Sequence, residues 1–197
     1  MLVPLALVTL LYLAGPAAAV SWYFLRFHTQ ASVISPGLQP TDTSGIYQNV
    51  LDGRTGTWSF SSGWYCSDLS WGQYFKTAEG ESVYFHNFLL DDGSAWNSTI
   101  VREVNDDVKK DSFPLTDKTF DQVVFAIKLY DVDWDFGELV FKNVKIVAEG
   151  TTSTCWCTED PENYNDNAEY SITNAKATVS STTVTCTFEA ITLIGPA

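Results

Sequence analysis

Two apolar segments, QVVFAIKLY at residues 122–130 and ELVFKNVKIVA at residues 138–148, decide the fold class of this chain. Alternate residues of the first segment, from Val123 to Leu129, fall on one face of an extended chain, because side chains alternate between the two faces of a strand. Further segments of this kind are SVYFHNFLL at 82–90 and TTVTCTFEAITLI at 182–194, and clusters of Gly, Asp, Asn and Ser lie between the strong segments. The pattern predicts an all-β chain that folds as an antiparallel β-sandwich.

The first 55 residues lack this strong alternation. Residues 2–13 are apolar and precede Gly15, Pro16 and a run of alanines, which predicts a signal peptide over residues 1–19. The alternative is a retained anchor, because residues 2–25 carry no charge and are long enough to cross a bilayer. We expect cleavage, an extended lead-in over residues 20–55 and a β-sandwich domain over residues 56–197. The product would be secreted, extracellular or in the cell wall, without membrane contact after cleavage.

The charge balance narrows the classes of possible binding partner. The 197 residues include 24 acidic and 11 basic side chains, which give a net charge of −13. Such a chain repels phosphate backbones, so we expect no nucleic-acid partner. The length suits one domain, and the sequence leaves the oligomeric state open.

Four cysteines follow the predicted leader: Cys66, Cys155, Cys157 and Cys186. An even number in a secreted chain predicts two disulfides. A bond between Cys155 and Cys157 would close a strained loop, so we expect Cys66 and Cys186 each to pair with one of them. A zinc site with four thiolates is the less favoured alternative. The sequon at Asn97 predicts a glycan on a surface loop.

The segment around the two deciding strands resembles the β-jelly-roll (galactose-binding-like) carbohydrate-binding modules. The resemblance rests on residues 121–125, DQVVF, and 137–146, GELVFKNVKI, with a less specific likeness from Gly63-Trp64 to Phe85. A weaker resemblance, without a shared motif, is to small secreted cysteine-containing β-proteins of fungi. The first resemblance implies a jelly-roll-like topology and a ligand site at the rim of the sandwich.

We therefore predict a non-catalytic protein that binds a cell-wall or host polysaccharide. Sugar rings stack on exposed aromatic rings, and their hydroxyls bond to carboxylates. The predicted ligand-binding residues are Trp64, Trp71, Trp96, Asp131, Asp133, Trp134 and Asp135. We expect no cofactor, although the acidic segment at 159–167 leaves calcium open.

Two other functions remain open. The chain could be a small secreted effector or cell-wall protein that acts through protein contacts. It could also be a jelly-roll glycoside hydrolase or lyase using two of the glutamates at 103, 138, 149 and 189, since such enzymes need paired carboxylates. The sequence favours a non-enzyme, because His86 lies in an apolar strand and no nucleophile motif accompanies it.

One short pattern occurs twice. Asn143-x-Lys145 and the later TTSTC recur 31 residues further on as Asn174-x-Lys176 and TTVTC. Thr-rich strands of similar composition would match by chance, and a duplicated strand–turn–strand unit is the alternative. Two copies are too few for a solenoid.

Overall fold

The computed structural model describes residues 8–12, 17–25, 32–66, 70–78, 81–129, 138–163 and 169–194. The described strands form two antiparallel sheets, so the predicted all-β sandwich is confirmed. In chain order the elements are β1 (Val8–Tyr12), β2 (Ala17–Leu25), β3 (Ser32–Pro40), β4 (Ile46–Asp52), β5 (Ser59–Tyr65), β6 (Ser70–Lys76), β7 (Val83–Leu89), β8 (Trp96–Arg102), β9 (Asp107–Phe113), β10 (Phe120–Leu129), β11 (Leu139–Glu149), α1 (Cys155–Thr158), β12 (Glu162–Asn163), β13 (Glu169–Thr173), β14 (Lys176–Ser180) and β15 (Thr183–Ile194). No described helix is long and apolar enough to cross a membrane.

Sheet A has the strand order β12-β1-β10-β3-β4-β5-β6. Sheet B has the order β13-β15-β11-β2-β7-β8-β9, with β14 also paired to β15. The two segments that decided the fold class are therefore neighbours in sequence but central strands of different sheets, β10 and β11. Residues 122–127 of β10 are all buried, whereas β11 alternates between buried apolar residues and exposed ones such as Lys142 and Lys145. The first segment is therefore covered on both faces and the second on one.

Residues before position 56 contribute strands to both sheets. β1 pairs with β10, β2 lies between β11 and β7, and β3 and β4 are central strands of sheet A. The predicted lead-in thus includes strands of the sandwich. The signal peptide and its cleavage position stay predictions.

An aromatic cluster fills the space between the sheets. The Tyr47 ring lies 5.9 Å from Trp96 and 5.3 Å from Phe113, and Phe120 packs edge-on against both Trp64 and Trp96. Trp64 is 7% exposed and Trp96 is 2% exposed. Edge-on pairs of this kind add to the stability gained by burying the rings.

A buried polar cluster also joins the sheets. Asn49 of β4 donates from Nδ2 to Ser62 Oγ at 2.8 Å and to Ser98 Oγ at 3.3 Å, and Asn87 Nδ2 donates to Asn49 Oδ1. The Ser62 and Ser98 hydroxyls also bond to each other. Asn49 and Ser62 belong to sheet A, whereas Asn87 and Ser98 belong to sheet B. We call these four residues the inter-sheet cluster.

One disulfide forms, between Cys157 of α1 and Cys186 of β15. It confirms that Cys186 pairs with a member of Cys155-x-Cys157. The prediction of a second disulfide is wrong, because Cys66 and Cys155 are in none. Cys66 directly follows β5, and its Sγ accepts a hydrogen bond from the Trp64 indole at 3.0 Å. Cys155 is exposed at the start of α1.

Hydrogen bonds of the Glu81 carboxylate also link the two sheets, near the end of β6. Glu81 Oε2 accepts hydrogen bonds from the Thr77 hydroxyl and from Arg102 Nε, and Arg102 Nη2 lies 2.5 Å from Glu81 Oε1. The hydrogen bonds from Arg102 come first among the causes that lower the pKa of Glu81 to about 2. Thr77 directly follows β6 of sheet A, and Arg102 ends β8 of sheet B, so this carboxylate links the two.

Candidate functional site

The face of sheet A that points away from the core carries the candidate site. Side chains alternate between the two faces along each strand. The residues that directly precede and follow a core residue in sheet A therefore lie on this outer face. In cross-strand register, Val124, Gly37, Gln48, Gly63 and Trp71 form one continuous row over β10, β3, β4, β5 and β6. We call this row and its neighbouring positions the sheet A cleft.

The middle of the sheet A cleft is recessed. Ser35 is 3% exposed, Val50 2% and Val124 1%, although none of them faces the space between the sheets. Val124 and Ala126 form a small apolar cluster separate from the main core. The cleft rim is exposed, with Trp71 and Tyr74 of β6 among the most exposed aromatic residues. A recessed floor with an aromatic rim is the usual shape of a ligand site.

Two glutamine amides on the cleft floor are open to a ligand. Gln48 is 6% exposed and Gln122 is 8% exposed, and neither side chain forms a hydrogen bond with any described residue. Neither amide is among the enclosed polar atoms that lack a partner, so the accessible part of each side chain includes its amide atoms. Each amide therefore reaches the cleft with a donor and an acceptor that the described residues leave unused.

The position of the Gln48 side chain depends on two glycines. Its cross-strand neighbours are Gly37 on one side and Gly63 on the other. A Cβ at Gly37 would come within 2.7 Å of Ile46 Cγ2 and 2.9 Å of Gln48 Cβ, and one at Gly63 would overlap the Trp71 ring. The two glycines therefore allow the Gln48 side chain and the Trp71 indole to lie in the cleft.

A pocket of about 260 Å³ opens at one end of the cleft. Asp52, Arg54, Ser59, Ser61, Trp71 and Tyr74 are among the residues that line it. Arg54 binds the Asp52 carboxylate through Nε and Nη2. Burial alone would raise the pKa of Asp52, but the hydrogen bonds and charge of Arg54 outweigh burial and hold that pKa below its usual value. Asp52 is therefore ionised at neutral pH.

Lys128 of β10 extends over the cleft. Its Nζ lies 4.8 Å from the centroid of the Tyr65 ring, a cation–π contact between strands that are not neighbours in the sheet. Half burial of the ammonium and the nearby charge of Arg54 lower the pKa of Lys128. The contact shows that side chains from opposite sides of the cleft meet above its floor.

The structure separates the predicted ligand residues. Trp71 lies on the cleft rim, 43% exposed, whereas Trp64 and Trp96 belong to the core described above, so neither offers an exposed ring. The predicted residues Asp131, Asp133, Trp134 and Asp135 lie outside the described residues. Asn97 is the second residue of β8 rather than part of a surface loop. The described residues hold no cluster of three or more metal-ligating side chains, and calcium stays untested.

Sequence reasoning missed Gln48 and Gln122. Both stand in apolar segments, IYQNVLD and FDQVVFAIKL, where a polar residue has no exposed side of the sheet to occupy. A glutamine inside a strand buried on both faces is the signal that could have found them.

The comparisons with known proteins show the fold. No family profile matches the sequence, and no curated protein matches it. Two solved structures of scytalido-glutamic peptidase, one with a peptide-based transition-state analog and one with a transition-state analog inhibitor, are similar over 95% of this chain and 100% of theirs. Their TM-scores are 0.56 and 0.59, each at 16% identity. What is shared is the fold. A third structure, an eqolisin-family peptidase with a tripeptide, has a TM-score of 0.47 at 17% identity and covers 93% of this chain and 98% of that one.

This similarity corrects the predicted function. The prediction of a non-catalytic glycan-binding protein is wrong, because the similar structures that match along the whole chain are peptidases. The burial of Trp64 and Trp96 explains the error physically, since two of the predicted stacking platforms are part of the core. The carbohydrate-binding-module family is not confirmed, although the all-β sandwich it implied is. The disulfide is consistent with an extracellular protein.

Proposed function

We propose that this chain binds an extended polypeptide segment in the sheet A cleft. The observation that carries the proposal is the pair of recessed amides, Gln48 and Gln122, whose polar atoms are accessible in the cleft and bond to no described residue. A peptide unit offers one N–H donor and one C=O acceptor, which is what a glutamine amide needs to form two hydrogen bonds.

The spacing of the two amides suits an extended chain. Gln48 is opposite Gly37, and Gln122 is opposite Gln39, two residues further along β3. Two strand spacings and two residue steps therefore separate their backbones by about 12 Å. An extended peptide covers that distance in about four residues, so both amides can bind one segment.

The pocket at the end of the cleft would take one side chain of this segment. Its volume of about 260 Å³ suits a large residue, and Trp71 and Tyr74 provide apolar walls. The Asp52–Arg54 pair beside them is already neutralised, so the pocket favours an apolar or aromatic side chain. Scytalido-glutamic peptidase binds a peptide-based analog on the same fold, which supports a polypeptide as the ligand class.

Cleavage of the bound segment is the second candidate, favoured by the whole-length similarity to peptidases. Peptide hydrolysis needs a group that takes a proton from water as its oxygen attacks the carbonyl carbon, and that passes a proton to the leaving nitrogen. Among the described residues that line the pocket, the carboxylate is Asp52. Its pKa is lowered, so it can act as the base at acidic pH but is a poor acid.

The test uses dephosphorylated β-casein, an unfolded chain without phosphoserine, as the probe. We expect saturable binding to the full chain, weakened about tenfold in Gln48→Leu and in Gln122→Leu, since each change removes hydrogen bonds worth about 1 kcal/mol or more. Gln73→Leu is the matched control, because the Gln73 amide already bonds to the Lys110 carbonyl oxygen and should not contact the ligand. Equal affinity in all three variants, or no binding, contradicts the proposal.

Mass spectrometry of the same mixtures between about pH 3 and pH 7 decides the second candidate. New casein fragments that disappear with Asp52→Asn, but not with Asp42→Asn, assign cleavage to Asp52. Binding without fragments leaves a protein that holds polypeptides and does not cut them.

A further inference from the structure

The outer face of sheet B, opposite the sheet A cleft, has an open cleft of its own. Its volume is about 440 Å³, and its lining includes Asn143, Lys145, Asn174, Lys176, Thr187 and Glu189. These residues include both copies of the Asn-x-Lys pattern that the sequence repeats 31 residues apart. The repeated pattern thus converges on one place in the fold, on either side of β15.

Strand register fixes how the two lysines sit. Lys145 of β11 and Lys176 of β14 are both the cross-strand partners of Thr187 in β15. The neighbours Cys186 and Phe188 are buried and Thr187 is exposed, so the Thr187 hydroxyl points outward between the two lysines. The two lysine backbones are about 10 Å apart, and their flexible side chains can both reach a group above Thr187.

Backbone geometry makes the two sides of the cleft alike. Asn143 and Asn174 have positive φ angles of 53° and 52°, and each stands two residues before its lysine. The Asn174 amide donates to Glu189 Oε2. This hydrogen bond holds the one acidic side chain among the cleft residues beside Asn174.

Two lysines with no ion pair lie side by side in this cleft. Arg54, Arg102, Lys109 and Lys118 all form ion pairs with carboxylates. Lys145 and Lys176 form none with any described residue, which they share with Lys76, Lys110, Lys128 and Lys142, but register places these two on either side of one residue, Thr187. Two neighbouring ammonium groups repel each other when no anion lies between them.

We infer that this cleft binds a phosphate group, placed above Thr187 between Lys145 and Lys176. A phosphate monoester has three peripheral oxygens and a charge of about −2 at neutral pH. The two ammonium groups and the hydroxyl supply three donors for the three oxygens, and the Glu189 carboxylate in the same lining is bonded to Asn174. The phosphate could be free or carried by a phosphorylated polypeptide.

Nitrogen-15 NMR titration of the full chain with inorganic phosphate, at constant ionic strength, tests the inference. We expect saturable shifts of the Lys145, Lys176 and Thr187 amides with a Kd in the millimolar range or tighter. The double variant Lys145→Gln/Lys176→Gln should weaken binding at least about tenfold, and Lys145→Arg/Lys176→Arg should retain it. Lys76→Gln, on β6 of sheet A, is the charge-matched control and should leave the Kd unchanged.

A second titration uses the pentapeptide Ala-Ala-phosphoserine-Ala-Ala. Tighter binding than inorganic phosphate assigns the site to phosphorylated polypeptides, and equal binding assigns it to the free anion. An unchanged Kd in the double glutamine variant, or shifts that do not saturate with either probe, overturns the inference. These readouts are independent of casein binding, because they follow residues on the other sheet.

Discussion

The outer faces of the two sheets satisfy their polar groups in different ways. On sheet A, Gln48 and Gln122 are uncharged, recessed and bonded to no described residue, and the nearby Arg54 is neutralised by Asp52. On sheet B, Lys145 and Lys176 are exposed and unneutralised by described residues. A buried neutral amide selects a ligand by hydrogen-bond geometry, whereas an exposed ammonium selects it by charge. One sandwich can therefore present two faces with different ligand chemistry.

The two faces share one core, so their independence can be tested by removing the interactions that link the sheets. The largest effect should come from the disulfide. It joins β15 of sheet B to α1, which contacts β1 of sheet A and β14 of sheet B. Cys157→Ser/Cys186→Ser removes a closed loop of about 30 residues and should lower the free energy of unfolding by about 3–4 kcal/mol.

Urea unfolding of this double variant, compared with Cys155→Ser, measures the loss. Cys155 is exposed and in no disulfide, so its replacement should change stability little. We also expect phosphate affinity to fall more than casein affinity, because Cys186 adjoins Thr187. A drop in casein affinity alone would contradict the separation of the two faces.

A smaller loss should follow disruption of the inter-sheet cluster. Asn49→Ala removes the side chain that bonds to Ser62, Ser98 and Asn87, and leaves buried polar groups unpaired. We expect a loss of about 2–3 kcal/mol. Thermal unfolding compared with Ser112→Ala, an exposed serine of β9, measures it. A variant as stable as the parent chain would show that the cluster does not hold the sheets together.

The smallest of these losses should come from the Glu81–Arg102 pair, and it should depend on pH. Glu81 has a folded-state pKa of about 2, below its ordinary value of 4.5. Its contribution is therefore complete above pH 4.5 and disappears as pH falls toward 2. We expect Glu81→Gln to cost about 1 kcal/mol at pH 7, because the pair is partly exposed.

Denaturant unfolding of Glu81→Gln and the parent chain at several pH values checks the sign. The difference in stability should shrink on acidification between about pH 4.5 and pH 2. Glu103→Gln, an exposed neighbour, is the control. A difference that grows on acidification would rule out the proposed stabilisation of the ionised carboxylate.

The sequence predicted the strands that alternate strongly. The segments at 82–90, 122–130, 138–148 and 182–194 correspond to β7, β10, β11 and β15, because period-two apolar patterns reflect burial directly. It did not predict β3, since SVISPGLQP contains two prolines and a glycine. The sheet accommodates these residues. Gly37 lies opposite Gln48, and Pro36 lies opposite Phe125, in a strand that is paired on both sides.

The candidate site was harder to predict. Trp64 and Trp71 have similar neighbours in sequence, but strand register sends the first into the core and leaves the second on the cleft rim. The Cys155-x-Cys157 spacing limited the disulfide partners, and the position of Cys186 in β15 decided between them. Both outcomes depend on contacts between residues far apart in the chain, which local patterns do not encode.

The place of β2 in sheet B has a consequence for how the chain folds. β2 is among the first strands in the chain, yet it pairs with β7 and β11. β1 likewise pairs with a strand far along the chain, β10. Neither sheet can close until more than half of the sequence has been synthesised. Folds with such distant pairings pay a large loop-closure entropy before they gain native contacts, so they fold in milliseconds to seconds rather than microseconds. Until β2 inserts, the edges of β7 and β11 are open to pairing with other chains, and refolding yield should fall as protein concentration rises.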